Sequence, residues 1–162
     1  MGNYKHFESD FVKRTLHLIG QYESVLHKYE FDHQYNHTLL ANCLLGLIVM
    51  PKEKAISFLP ADRLTNELKQ KMGIVQSSFN PDIKNLKDLI KALRNSIGHS
   101  DLDFVSNDEN FLIDEIQFWD RYEGKNDLLA SFVPSELLSF VRYYGGWFIH
   151  NLEKYNPSQL DN

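Results

Sequence analysis

Pro81-Asp82-Ile83-Lys84-Asn85-Leu86-Lys87-Asp88-Leu89-Ile90-Lys91-Ala92-Leu93-Arg94-Asn95-Ser96-Ile97-Gly98-His99 reads as one amphipathic helix. At about 100° per residue, Ile83, Leu86, Leu89, Ile90, Leu93 and Ile97 share one face, which must pack into a bundle. On the other side Lys84, Lys87, Lys91 and Arg94 recur at steps of three or four, forming a basic stripe within an arc of about 80°. Asn95 and Gly98 lie beside that stripe. Asn80 before Pro81 suits the start, because asparagine caps exposed N–H groups and proline's fixed φ fits the first helical position. Gly98 suits the end.

Working outward, Phe11, Leu18, Ile19, Tyr22, Val25, Leu26 and Tyr29 recur at helical spacing and predict a helix over residues 10–29. A second helix is expected over 32–50, stopped by Pro51 and apolar almost all round in its last three turns, which marks the central element of the bundle. Asn42 sits inside it, and a buried amide needs a partner within the bundle or on the motif helix. Residues 51–61 read as a loop before a short helix carrying Leu64, Leu68 and Met72 and ended by Gly73. After His99 the period changes. Residues 102–106, 111–119 and 128–133 read as strands separated by polar turns, hence a three-stranded antiparallel meander. Pro134 and Ser135 open a last helix in which Leu137, Val141, Tyr144, Phe148 and Leu152 share a face. Gly145-Gly146 weakens that helix unless something packs closely there. The expected fold class is α+β and mostly helical: one domain over residues 1–162, with a small antiparallel meander inserted before the C-terminal helix.

Composition bounds the function. A chain of 162 residues that is 43% hydrophobic can bury one core. The formal net charge of -5 argues against coating nucleic acid by bulk attraction, so contact with RNA has to come from a local basic patch. A single cysteine, Cys43, excludes an internal disulfide framework and fits a reducing compartment; it is read as a core residue, and the cytoplasm is the expected location. The N-terminus is polar where a signal peptide would be apolar. The longest apolar run, residues 39–50, falls short of the roughly 20 residues a membrane helix needs.

The motif end carries the chemistry. In an ideal helix Arg94 and His99 stand about 140° apart with roughly 7.5 Å of rise between them, so one copy does not easily enclose a phosphate. Two copies facing each other across a two-fold axis do, and Gly98 lets their backbones approach; a homodimer is the expected active unit. Histidine titrates near neutral pH, so this residue type can take a proton from an RNA 2'-hydroxyl or give one to a leaving 5'-oxygen. Arginine's planar fork of donors suits holding the phosphate and its transition-state charge. Arg94 and His99 are therefore the catalytic candidates, with Asn95 orienting either group and Lys84, Lys87 and Lys91 as substrate-binding residues. No cofactor is called for, and no metal site is expected. His33 and His37 share a spacing of four but lack a third ligand, and Asp101-x-Asp103 reads as solvated acidic turn residues rather than a divalent-ion site. Phe118, Trp119 and Tyr122 can stack on bases, though strand aromatics more often bury against helices.

The Arg-x4-His spacing, with Asn95 after the arginine and Gly98 before the histidine, resembles the signature of the HEPN (higher eukaryotes and prokaryotes nucleotide-binding) superfamily. Leu39-Leu40-Ala41-Asn42-Cys43-Leu44-Leu45-Gly46-Leu47, then Pro51-Lys52-Glu53-Lys54, and later Phe118-Trp119-Asp120 are similar to a prokaryotic subgroup of HEPN family nucleases. The resemblance implies a helical bundle, usually homodimeric, with Arg94 and His99 catalytic and Asn95 as the polar neighbour. It implies a metal-independent endoribonuclease acting at a composite dimer interface, toxin-like or in antiviral defence, with RNA as substrate and an antitoxin as a partner. The alternative is a non-catalytic HEPN module that binds RNA, a nucleotide or a protein partner.

Overall fold

The computed structural model describes residues 4, 6–30, 33–50, 59, 61–107 and 113–154, the side chains of 36, 37, 153 and 154 excepted. In chain order the elements are α1 (Phe7–Leu26), α2 (Asn36–Val49), α3 (Asn66–Met72), β1 (Ser78–Phe79), α4 (Leu86–Gly98), β2 (Leu102–Val105), β3 (Glu115–Asp120), β4 (Asp127–Phe132) and α5 (Leu137–Lys154). The chain is α+β and mostly helical, as its periodicities predict.

The apolar face of α4 is met from two sides, by α2 and by strands β3 and β4. Leu86, Leu89, Ile90 and Leu93 are at most 1% exposed there. Helix α5 packs on α1, α2 and α3, and its predicted face of Leu137, Val141, Tyr144, Phe148 and Leu152 is buried throughout. The glycine pair in α5 has its reason. A Cβ on Gly145 would stand 3.2 Å from Leu16 Cδ2 and 3.3 Å from Val12 Cγ1, so the first glycine is where α1 passes closest.

Several expectations change. Pro81 and Asp82 form a turn, not the start of a helix: Asn80 Oδ1 accepts the N–H of Asp82 at 3.0 Å, while its amide donates to the carbonyl of Leu128 at 3.2 Å. The helix begins at Leu86 because Asn85 Oδ1 caps the N–H of Asp88 at 2.8 Å. Ile83 and Lys84 therefore precede α4, and Lys84 leaves the helical stripe. Asn42 faces solvent, while its neighbours Ala41, Cys43 and Leu44 are buried. The meander β2-β3-β4 gains a fourth strand, because β1 pairs antiparallel with β4, giving the order β1-β4-β3-β2. Two residues carry no alternation to read. Leu64 precedes α3, whereas Gly73 ends it as expected, with φ 70. The loop at 51–58, the turn at 108–110 and the tail after 154 lie outside the described residues.

The strap from α3 into β1 is held by a carboxylate that the periodicities did not single out. Glu136 is buried and accepts hydrogen bonds from the N–H groups of Val75, Gln76 and Ser77 at 2.9, 2.8 and 2.9 Å, and from the Ser77 hydroxyl at 2.6 Å. Burial opposes its ionisation, but these hydrogen bonds outweigh that cost and hold the carboxyl below its ordinary value of 4.5. Because the folded value is the lower one, the stabilisation is complete above about 4.5 and is lost as pH falls through the folded value. Glu136→Ala is expected to lower the stability measured by urea unfolding by about 2 kcal/mol, since it strands the buried N–H and hydroxyl of Ser77. Glu136→Gln should flatten the loss of stability that the native chain shows on acidification below pH 4.5.

Candidate active site

Helix α4 ends on His99, whose N–H still donates to the carbonyl of Asn95 at 3.0 Å. Ser100 then turns left-handed, with φ 61, and the N–H groups of Ser100 and Asp101 fold back onto the carbonyls of Ile97 and Ser96 at 3.1 and 2.9 Å. This double closure is a Schellman ending. The left-handed residue is Ser100, not Gly98 or any glycine, so the turn carries strain.

What holds that turn in place is Ser96. Its side chain is only 2% exposed; the hydroxyl donates to the carbonyl of Asp101 at 2.8 Å and accepts the N–H of Trp119 at 3.2 Å. The same Trp119 N–H reaches the carbonyl of Asp101 at 2.9 Å. The end of α4 is thereby joined to β3. Just there the β3–β4 register slips between Phe118 and Trp119, with Leu129 as the extra residue on β4. Such a bulge redirects side chains. Phe118 goes into the core, and Trp119 lines a cleft beside the helix end.

That cleft has a volume of about 340 Å³ and is lined by Ala92, Asn95, His99, Asp101, Trp119, Asp120, Tyr122, Lys125 and Leu129. The rings of His99 and Tyr122 lie 5.4 Å apart at an interplanar angle of 32°. Asp120 accepts from Lys125 Nζ at 3.1 Å and from the N–H of Tyr122 at 3.2 Å. The Lys125 ammonium chiefly, helped by the Tyr122 N–H, holds the Asp120 carboxyl below the usual carboxylate range. Arg121 ion-pairs with Asp103, gives its N–H to Asp101 at 3.2 Å, and lays its guanidinium over the Trp119 ring at 4.9 Å. Asp101 and Asp103 are thus engaged by one arginine, and among the described residues no three His, Cys, Asp or Glu side chains gather as metal ligands. Two described non-glycine residues have positive φ, Ser100 and Glu123, and both adjoin cleft-lining side chains.

Of the residues singled out by sequence, Asn95 and His99 meet in the cleft and Arg94 does not line it. Arg94 is half-buried on another flank of α4, where its charge acts on the Tyr144 phenol; burial pushes that phenol up, and Arg94 opposes the shift. Lys87 is half-buried and Lys91 exposed on α4, Lys84 is exposed before it, and none of the three lines the cleft. Gly98 is exposed, and a Cβ there would meet no atom within 4 Å, so the fold of one chain does not require it. Ser96, Asp120 and Lys125 were not picked out by periodicity. The sequence signal for Asp120 is its place in the Phe118-Trp119-Asp120 segment; for Ser96 and Lys125 none was legible.

A family model described as HEPN pEK499 p136 matches residues 1–155. No curated protein and no solved structure matches the chain.

Two substitutions check the helix ending. Ser100→Gly relieves the left-handed strain and is expected to raise stability in urea unfolding by about 0.5–1 kcal/mol. Ser96→Ala removes both hydrogen bonds of the hydroxyl while Trp119 N–H keeps the Asp101 carbonyl, and should cost about 1 kcal/mol, with a shift of the His99 ring resonances in NMR spectra. Unmoved His99 resonances would show that the junction does not position the histidine.

Proposed function

Because the chain belongs to the HEPN pEK499 p136 family, which marks a nuclease- or RNA-related module, we propose that it is a homodimeric, metal-independent endoribonuclease. The observation that carries this reading is the separation of the two motif side chains: His99 and Asn95 line the cleft, whereas Arg94 does not. One chain then presents half a site. A second copy across a two-fold axis supplies the other half, each histidine facing the partner's arginine. Gly98, exposed and with open space where a side chain would stand, suits the close approach of two α4 ends.

In this site the 2'-oxygen of RNA attacks the adjacent phosphorus while a histidine takes its proton. The bond from phosphorus to the 5'-oxygen breaks, and that oxygen receives the proton back from the histidinium so formed, so one histidine serves each composite site. Arg94 holds the non-bridging oxygens and stabilises the charge of the pentacoordinate transition state. Asn95, in the cleft beside His99, orients the imidazole or the hydroxyl. Lys87 and Lys91 guide the RNA backbone along α4 towards Arg94, and Lys84, just before the helix, adds charge at its start. The products are a 2',3'-cyclic phosphate and a 5'-hydroxyl. This activity suits a toxin-like or antiviral role in the cytoplasm, held in check by an antitoxin. No described helix is long and apolar enough to cross a membrane.

The second reading is a non-catalytic module that binds RNA, a nucleotide or a protein partner, and the observation favouring it is the pair of carboxylates, Asp101 and Asp120, in the cleft. Purified protein incubated with RNA in chelator separates the two. Cleavage should occur and fall by about 10²- to 10⁴-fold in His99→Ala and in Arg94→Ala. Mixing these two inactive variants should restore about a quarter of the native rate, because half of the randomly re-formed dimers carry one intact composite site. Failure of the mixture to recover would refute the shared site, and binding without turnover in any RNA would favour the module. Gly98→Leu is expected to leave thermal unfolding of the subunit nearly unchanged while abolishing the dimer in sedimentation.

A further inference from the structure

The interior of the cleft beside His99 carries one more carboxylate than ammonium and disfavours phosphate, which suits the rim where His99 stands. Asp101 and Asp120 face it with Lys125 as the one lysine, and that ammonium is already bonded to Asp120 Oδ2. A phosphodiester would meet like charge there, so an RNA backbone has to pass along the rim, and the group that enters must be uncharged. The uncharged parts of RNA are the ribose and the nucleobase, and only the base has an aromatic face to stack on an exposed ring such as Tyr122. The volume of about 340 Å³ lies at the lower end of ligand-sized clefts, as a single base requires.

The lining offers what a base needs. Tyr122 is 56% exposed, with its ring held beside that of His99, and an exposed aromatic face is the standard platform for an unstacked base. The Nε1–H of Trp119 is buried and has no hydrogen-bond partner among the described residues. Asp120 spends one lone pair of each oxygen on Tyr122 N–H and Lys125, which leaves each oxygen able to accept again. A carboxylate with two free acceptor sites matches two adjacent N–H donors. Among the four bases, guanine alone presents that pair, its ring N1–H and its exocyclic amine. Adenine and cytosine set an acceptor nitrogen beside their amine, and uracil places one N–H between two carbonyls that a carboxylate repels. Guanine's remaining carbonyl needs a donor, and the Asn95 amide and Lys125 are donors that line this cleft.

We propose that the cleft is a base subsite selecting guanine, with Tyr122 stacking the base and Asp120 reading its two N–H donors. Its place next to the cut bond rests on the ribonuclease reading; its selectivity does not. The test is therefore binding without cleavage. Single-stranded 2'-O-methyl hexamers of uridine carrying one central guanine, adenine or cytosine, or only uracil, lack the attacking hydroxyl, and their affinities for the native chain are compared by fluorescence anisotropy.

The guanine oligomer should bind at least about tenfold more tightly than the other three. Asp120→Asn should abolish that preference, and Tyr122→Ala should weaken all four oligomers. Equal affinity for the four, or a guanine preference that survives Asp120→Asn, overturns the proposal. Cleavage of natural RNA with no guanine at the cut sites also counts against it while leaving the nuclease reading intact. Guanine-selective binding without cleavage of any RNA sustains the subsite and ends the nuclease reading.

Discussion

The hydroxyl of Ser96, together with the backbone bond from Trp119 N–H to the Asp101 carbonyl, joins the end of the motif helix to the sheet, and the placement of His99 follows from that junction. It donates to the carbonyl of Asp101 and accepts the N–H of Trp119, so one small buried side chain satisfies backbone groups from a helix ending and from a strand at once. Buried backbone donors rarely go unpaired, which makes such a junction hard to rearrange. The strained turn at Ser100 is tolerated because the groups on either side of it are fixed. His99 is left exposed at the edge of the cleft, next to Tyr122, on a rigid support.

The electrostatic layout has the same origin. Ser96 and the apolar residues Leu89, Ile90 and Leu93 face inward, so the polar residues of α4 are distributed around the remaining arc. Asn95 turns to the cleft and Arg94 to the flank near Tyr144. Arg94 lies outside the cleft that His99 lines, and this separation is the physical argument for the proposed second copy. The cleft carries the carboxylates Asp101 and Asp120, and the cations of α4 lie outside it; on the proposed reading the two surfaces suit different parts of one RNA strand.

Much of the bundle was legible because helical burial repeats. The faces of α4 and α5 came directly from residues such as Leu89, Leu93, Val141 and Phe148, whose spacing leaves one orientation for each helix. Helix starts were less legible: Asn80-Pro81 and Asn85 both offer capping chemistry, and the contest is decided by tertiary contacts, since the Asn80 amide is drawn to Leu128 on β4. Asn42 was expected to be buried, but its turn of α2 faces solvent. A two-residue strand has no period, and Ser100 in a left-handed turn contradicts the usual preference for glycine. At the site, Arg94, Asn95 and His99 stood out through motif spacing. Ser96 did not, because a serine in a helix is ordinary until its partners, separated along the chain, are known.

The central claim is that the histidine and arginine of this motif drive attack by the RNA's own 2'-hydroxyl, and the chemistry of the product ends tests it most directly. Fragments made by the native chain should carry a 2',3'-cyclic phosphate on one side of the cut and a 5'-hydroxyl on the other, as read by mass spectrometry of a short defined RNA. Fragments ending in a 3'-hydroxyl and a 5'-phosphate would mean that water attacked instead, and would contradict the account.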